Sequence, residues 1–89
     1  MLTKTYTVRD PYGLHARPAG RIVKEAQRYG CHITLRNPKN EKTASAKGLF
    51  ALLGLEITQG DSITLTTDGA DEQQALASVG AIIEETLGG

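Results

Sequence analysis

The chain has 89 residues, which is enough for one domain with a single core and too few for two. Ten Lys and Arg residues balance ten Asp and Glu residues, so bulk charge does not favour nucleic acid as a partner. A lone cysteine cannot form an internal disulfide bond, and no apolar run approaches the roughly 20 residues of a membrane span. The N-terminus also lacks the apolar run of a signal peptide. We therefore expect one cytoplasmic domain over residues 1–89, without nucleic acid or direct membrane insertion.

The first half of the chain predicts a strand, a helix and a β-hairpin, in that order. Residues 2–9 alternate as a strand does, and the segment DPYG follows as a turn. Apolar residues recur at helical spacing over residues 16–29, and Gly30 follows as a helix stop. Residues 31–36 and 42–46 predict two strands joined by the turn NPKNE.

The second half predicts a short helix, a strand and a long helix. Residues 47–55 are too apolar for a surface helix, so we expect more than one of their faces to be covered. Residues 62–67 alternate as a strand, and apolar spacing over residues 75–87 predicts the last helix. Asp71 and Glu72 fall in its first turn, where acids suit the helix dipole. The order βαββαβα predicts an α+β fold, a four-stranded antiparallel sheet with three helices on one face.

The stretch YGLHARPAG carries the strongest chemical signal. It places His15 at the N-cap of the first helix, where unpaired amides and the helix dipole attract an anion. Pro18 has no N–H, which leaves Ala16 and Arg17 as backbone donors, and the Arg17 guanidinium also suits phosphate. An imidazole is largely neutral at physiological pH, so one ring nitrogen is a free nucleophile. The pattern indicates a phosphoryl relay through His15, although on spacing alone a cap or surface histidine is an open alternative.

The segment GLHARPA resembles the active-site signature of the HPr family. These are the histidine-containing phosphocarriers of the bacterial phosphoenolpyruvate:sugar phosphotransferase system. The similarity extends along the whole chain, through IVKEAQRY, ITLRN, KTASAKGLFALL, ITQGDSITL and DGADEQQAL. The resemblance implies an open-faced β-sandwich. It also implies a carrier that is not an enzyme, acts as a monomer, and needs no cofactor or metal.

The resemblance implies a role for each residue of the signature. Enzyme I phosphorylates Nδ1 of His15 at the expense of phosphoenolpyruvate, and the phosphoryl group then passes to a IIA domain of a sugar permease. Arg17 matches the active-site arginine of the family and Pro18 the proline that follows it. Ala16 and Arg17 are the expected phosphate-binding residues.

Two partners that use the same histidine require a docking surface beside it. Leu49, Phe50 and Leu53 match family docking positions, whereas we interpret Leu52 as a core residue. Arg21 and Lys24 are candidates for contact with acidic partner surfaces, and a solvated helix face explains them nearly as well.

One position departs from the family pattern. Many members carry a regulatory serine at the start of the second helix, where this chain has Gly48. Glycine has no hydroxyl, so we expect no kinase-dependent regulation there. Ser45 lies three residues earlier, in or just after the third strand, and does not inherit the role.

Three other functions compete with a sugar-type relay. The first is a regulatory relay of the nitrogen type within the same family. The second is a ubiquitin-like modifier that uses the C-terminal Gly-Gly, which would require an opening hairpin before the main helix. The third is a binding module in which His15 has no role. Cys31 and His32 are neighbours on a predicted strand and should point to opposite faces, which favours structural roles over a shared metal.

Overall fold

A computed structural model describes residues 1–88 and gives the element order βαββαβα. The strands and helices are β1 (Leu2–Thr7), α1 (Ala16–Ala26), β2 (His32–Asn37), β3 (Lys42–Ser45), α2 (Leu49–Leu53), β4 (Ser62–Asp68) and α3 (Glu72–Leu87). The predicted order of the seven elements is confirmed.

The four strands form one antiparallel sheet in the order β1-β4-β2-β3. Ile33, Leu35, Ile63 and Leu65 alternate with polar residues and are buried beneath the helices. The opposite face carries threonine hydroxyls, such as the pair Thr3 Oγ1 and Thr66 Oγ1 at 3.3 Å. One covered and one polar face confirm the predicted open-faced sandwich.

The first helix ends earlier than its apolar spacing predicts. It ends at Ala26, because Arg28 N–H donates to Glu25 O and Tyr29 N–H to Ala26 O in tighter turns of the chain. The ammonium of Lys47 then donates to Tyr29 O at 2.6 Å. This contact comes from a distant part of the chain, so local periodicity could not predict it.

The second helix is shorter than predicted and exposes one of its apolar residues. It spans five residues, of which Leu52 is fully buried, so the interpretation of Leu52 as a core residue is confirmed. Phe50, by contrast, is 85% exposed. The prediction that several faces of this helix are covered therefore holds for Leu52 and is wrong for Phe50.

The fold also bears on the competing interpretations. Strand β1 is followed by α1 and pairs with β4, so the opening hairpin of a ubiquitin-like protein is absent from residues 1–88. Gly89, the last residue of the Gly-Gly end, lies outside the described residues. Cys31 lies just before β2 and not on it as predicted; it is buried whereas His32 is exposed, in agreement with opposite orientations. In the described part of the chain, no helix has the length and apolar character needed to cross a membrane.

Candidate phosphoryl-acceptor site

A tight turn between β1 and α1 sets the backbone in front of His15. The Asp10 carboxylate accepts a hydrogen bond from Tyr12 N–H at 2.8 Å, and Gly13 N–H donates to Asp10 O at 2.9 Å. Gly13 has a φ of +65°, and a Cβ there would clash with Ile57 O and lie 2.7 Å from Thr58 Cα. Only glycine fits this left-handed, crowded position without strain, so the turn enters α1 along one fixed path.

The first turn of α1 is left open by the protein itself. His15 is the N-cap residue, with an extended backbone and no side-chain capping bond. Its carbonyl accepts from Ala19 N–H at 3.0 Å, whereas the N–H groups of Ala16 and Arg17 have no acceptor among residues 1–88. The first turn also contains no acidic residue. Two free donors and an uncompensated helix dipole make this end attractive to an anion.

The imidazole of His15 lies between two residues of the preceding turn. Its Nε2 is 3.6 Å from Asp10 Oδ2, and its ring makes an edge-type contact with Tyr12 at a centroid distance of 5.7 Å. The side chain of His15 remains 38% exposed. The ring is therefore oriented by neighbours and still open to an incoming partner.

A shallow cleft of about 360 Å³ surrounds this histidine. The loop before α1 contributes Asp10, Tyr12 and His15, α1 contributes Arg17, Pro18 and Arg21, and α3 contributes Glu85 and Thr86. The Arg17 side chain is exposed and has no carboxylate partner within residues 1–88. The structure thus brings Arg17 and His15 to one cleft, with the guanidinium unengaged.

The two predicted basic docking residues differ in their surroundings. Arg21 Nη1 lies 3.0 Å from Glu85 Oε1, so its charge is already paired with α3. Lys24 is exposed, and no carboxylate within residues 1–88 pairs with it. Lys24 is accordingly the freer of the two cations.

The predicted apolar docking residues lie outside the cleft, on the neighbouring helix α2. Phe50 projects into solvent, whereas Leu49 and Leu53 are half-buried against the core. Helix α2 begins beside the C-terminal end of α1, where the Gln27 side chain donates to Lys47 O at 3.4 Å. The chain after α2 reaches the other end of α1, where Leu14 N–H donates to Ile57 O at 3.1 Å. The two helices therefore run side by side in opposite directions.

Gly48, where the sequence predicts no regulatory phosphorylation, is the N-cap residue of α2. Its φ of −120° is open to any residue, and a Cβ there would lie 3.5 Å from Ala51 Cβ. Sterics do not require glycine at this position.

Apart from Arg21, the cleft residues outside the signature were not predicted from the sequence. Asp10 and Tyr12 are interpretable only as parts of a turn, because nothing in DPYG indicates that their side chains contact His15. Glu85 and Thr86 are about 70 positions further along the chain, so no local spacing links them to the site. A carboxylate at a turn shortly before the signature histidine is the one signal that could have suggested Asp10.

Comparison with known proteins points to one family. The family model described as PTS HPr component phosphorylation site matches residues 2–85. The phosphocarrier protein HPr of Haemophilus influenzae is 43% identical over 83 residues, which cover 93% of this chain and 95% of that protein. The multiphosphoryl transfer protein of the same organism is 38% identical over 85 residues, and the match spans 94% of this chain but 17% of that longer protein.

A solved structure supports the same relationship at the level of the fold. The histidine-containing phosphocarrier protein of Mycoplasma superposes with a TM-score of 0.92 and 31% sequence identity, covering 99% of this chain and 100% of the other. Sequence, fold and the histidine at the start of α1 point the same way: the chain belongs to the HPr family of phosphocarriers of the phosphotransferase system.

Proposed function

We propose that this phosphocarrier accepts a phosphoryl group from phosphorylated enzyme I on Nδ1 of His15 and passes it to a IIA domain of a sugar permease. The observation that carries the proposal is a partly exposed imidazole at a helix start with two unpaired amides. Enzyme I draws the phosphoryl group from phosphoenolpyruvate. The protein needs no cofactor or metal for this relay, because each step exchanges one phosphorus bond for another.

Both transfers are simple displacements at phosphorus. The lone pair of Nδ1 attacks, an N–P bond forms, and the bond to the donor breaks with its electron pair leaving on the donor. In the second transfer a nucleophile of the acceptor attacks the same phosphorus, and the electron pair of the N–P bond returns to Nδ1. His15 therefore ends the cycle unchanged, as a carrier requires.

The start of α1 supplies the binding groups for the transferred phosphate. The amides of Ala16 and Arg17 donate to its oxygens, and the Arg17 guanidinium adds a charge-assisted contact. No acid lies in this first turn, so no carboxylate within the turn offsets the attraction of the helix start for phosphate. Ala16 and Arg17 thus bind phosphate, and His15 carries it.

Docking uses the surface that extends from this cleft onto α2. Phe50 is the apolar anchor of this surface and is flanked by Leu49 and Leu53. Exposure of its aromatic ring to water is unfavourable, and a docked partner would remove that exposure. Lys24 and Arg21 meet acidic groups of the partner, with Arg21 first exchanging Glu85 for the new partner. Enzyme I and the IIA domain react with the same histidine, so they cannot bind at the same time. The carrier acts as a monomer that binds first one partner and then the other.

The test is phosphoryl transfer from labelled phosphoenolpyruvate in the presence of enzyme I. We expect an acid-labile, base-stable label on the wild type and its complete loss in His15→Ala. His32→Ala is the matched control, because the second histidine is exposed on β2 and should leave labelling intact. Label that persists in His15→Ala, or a wild type that is labelled by no enzyme I, would refute the proposal and favour a binding module.

Arg17→Ala tests the phosphate-binding role separately. Loss of one charge-assisted contact should slow labelling about tenfold without abolishing it. Running the assay with enzymes I of the sugar and nitrogen systems tells the two relays apart, because the cognate enzyme should label faster. Addition of the matching IIA domain should then remove the label from His15.

Regulation at Gly48 is tested with the family kinase and ATP. We expect no phosphoserine on the wild type, including at Ser45. Gly48→Ser is the positive control, since the backbone and the space around Gly48 accept a serine. Phosphoserine on the unaltered protein would contradict the expectation.

A further inference from the structure

We infer that Asp10 is a positioning residue for His15, whose carboxylate holds the ring proton on Nε2 and so leaves Nδ1 as the nucleophile. The effect on phosphoryl transfer rests on the proposed function, whereas the contact between Asp10 and His15 does not. It concerns a side chain that lies outside the histidine signature and contacts the imidazole directly.

Asp10 is held in place from three directions. One carboxylate oxygen, Oδ1, accepts from Tyr12 N–H at 2.8 Å. The Asp10 backbone donates to Leu87 O at 3.1 Å and accepts from Gly13 N–H at 2.9 Å. The side chain is only 22% exposed. These bonds leave the second oxygen, Oδ2, directed at His15.

The position of Oδ2 distinguishes the two ring nitrogens. A neutral imidazole has one N–H and one lone pair, and the partner of each nitrogen decides which carries the proton. Oδ2 lies 3.6 Å from Nε2, so a proton on Nε2 faces a negative charge, whereas a lone pair there would be repelled. The distance exceeds that of a hydrogen bond, so the bias is modest. A contact of this kind, between a carboxylate and the dipole of a neutral ring, should shift the ratio of the two tautomers about two- to fivefold.

No other described carboxylate competes for this role. Within residues 1–88, Asp10 provides the one carboxylate within 4.0 Å of an imidazole nitrogen of His15. The remaining charged groups of the cleft are Arg17 and Arg21 on α1 and Glu85 on α3. Arg21 and Glu85 are paired with each other, and the Tyr12 ring packs against the imidazole without charge. Asp10 is thus the carboxylate that can favour a proton on Nε2 over one on Nδ1.

The same contact acts after phosphoryl transfer. When Nδ1 attacks phosphorus, the N–P bond forms, the donor leaves with its electron pair, and the proton stays on Nε2. The phosphorylated ring is then a cation, with its N–H facing the Asp10 carboxylate. The leaving group of the next transfer is consequently a neutral imidazole, which departs more readily than an imidazole anion would.

Asp10→Asn separates charge from structure. The asparagine oxygen can still accept the Tyr12 N–H, so the turn is kept while the charge beside Nε2 is lost. Asp68→Asn is the matched control, because Asp68 is an exposed carboxylate whose described ion pair is with the Met1 ammonium. Asp10→Ser is a second neutral variant, whose hydroxyl also accepts an amide bond, should Asp10→Asn fail to fold.

The first measurement is the tautomer ratio of His15 in protein labelled with ¹⁵N-histidine, by NMR on the neutral ring. We expect the ratio of the Nε2–H to the Nδ1–H form to fall about two- to fivefold in Asp10→Asn and to stay constant in Asp68→Asn. An unchanged ratio in a folded Asp10 variant would overturn the inference. This readout involves no phosphotransferase partner.

The second measurement is the position of the phosphoryl group after reaction with phosphoramidate. In this reaction the donor P–N bond breaks and ammonia leaves. The wild type should carry the group on Nδ1, and the share on Nε2 should rise in Asp10→Asn. Equal isomer ratios in the two proteins would also overturn the inference. A normal tautomer ratio with no labelling from enzyme I would refute the proposed function alone.

Discussion

The N-terminal ends of α1 and α3 share the same helix electrostatics but differ in the acidic residues placed there. Each helix begins with unpaired amides and the positive end of a dipole. At α1 the first turn has no acid, and the N–H groups of Ala16 and Arg17 have no acceptor among the described residues. At α3 the first turn contains Glu72, whose carboxylate accepts from Gly69 N–H at 3.1 Å.

The neighbouring Asp71 completes the contrast. Its two carboxylate oxygens accept from Gly30 N–H at 3.0 Å and Cys31 N–H at 3.1 Å. Hydrogen bonds from the Cys31 thiol and the Gly30 amide lower the pKa of the Asp71 carboxyl below its ordinary value. The start of α3 therefore carries two carboxylates of the protein itself, whose charge lowers its attraction for another anion, whereas the first turn of α1 carries no acid. A helix start is a better candidate for an anion site when the chain places no acid of its own there.

The largest expected effect is on the free energy of unfolding, from a substitution in the turn that leads into α1. Gly13→Ala forces a side chain into a left-handed backbone against Ile57 O and should cost about 2–4 kcal/mol of unfolding free energy. Gly20→Ala is the control, since a Cβ there meets nothing within 4 Å and should stabilise α1 by about 0.5–1 kcal/mol. Urea denaturation measures both. Equal stabilities of the two variants would show that the Gly13 turn does not fix the entry into α1.

The second prediction makes the start of α1 resemble that of α3. Ala16→Glu adds an acid to the exposed first turn and should stabilise the protein by about 0.3–1 kcal/mol. The same charge opposes the phosphate, so labelling by enzyme I should fall about tenfold or more. Ala16→Gln has nearly the same size and no charge, and should lose much less. If the two variants are labelled at the same rate, the absence of an acid from this turn does not matter for phosphoryl transfer.

The third prediction concerns pH and the acidic start of α3. Because its pKa is lowered in the folded state, Asp71 contributes stability that is present above its unfolded pKa and lost as pH falls through the folded pKa. Asp71→Asn should therefore destabilise the protein at about pH 7 and have less effect at about pH 3. Denaturation at both pH values measures this. Asp68→Asn, which alters an exposed carboxylate, should leave the pH dependence nearly intact, and the same slope in both variants would contradict the prediction.

The sequence was most informative where the determinants are contiguous. Periodicity and turn residues predicted all seven elements, and the adjacent residues His15, Ala16 and Arg17 predicted the open helix start. The end of α1 was predicted too late: tighter turns end the helix at Ala26, and Lys47, from another part of the chain, binds Tyr29 O beyond it. Local patterns carry no information on such long-range contacts.

The same limit explains what was missed at the site. The Asp10 contact depends on how the turn folds back on the ring, and the Arg21–Glu85 pair joins residues 64 positions apart. The sequence could predict a cation at Arg21 but could not predict that α3 already neutralises it. Composition supplies the chemistry of a residue, and the fold decides which charges remain available.

One contact at the end of the chain links local motion to the site. Leu87 O, in the last turn of α3, accepts from both Arg9 N–H and Asp10 N–H. Helix ends open more often than helix centres, so we expect each opening of this turn to break the hydrogen bonds of Arg9 N–H and Asp10 N–H to Leu87 O. Hydrogen exchange at the Asp10 amide therefore reports how long the surroundings of His15 stay assembled. We expect the lifetime of the contact between Asp10 and His15 to depend in part on the carbonyl at the end of α3.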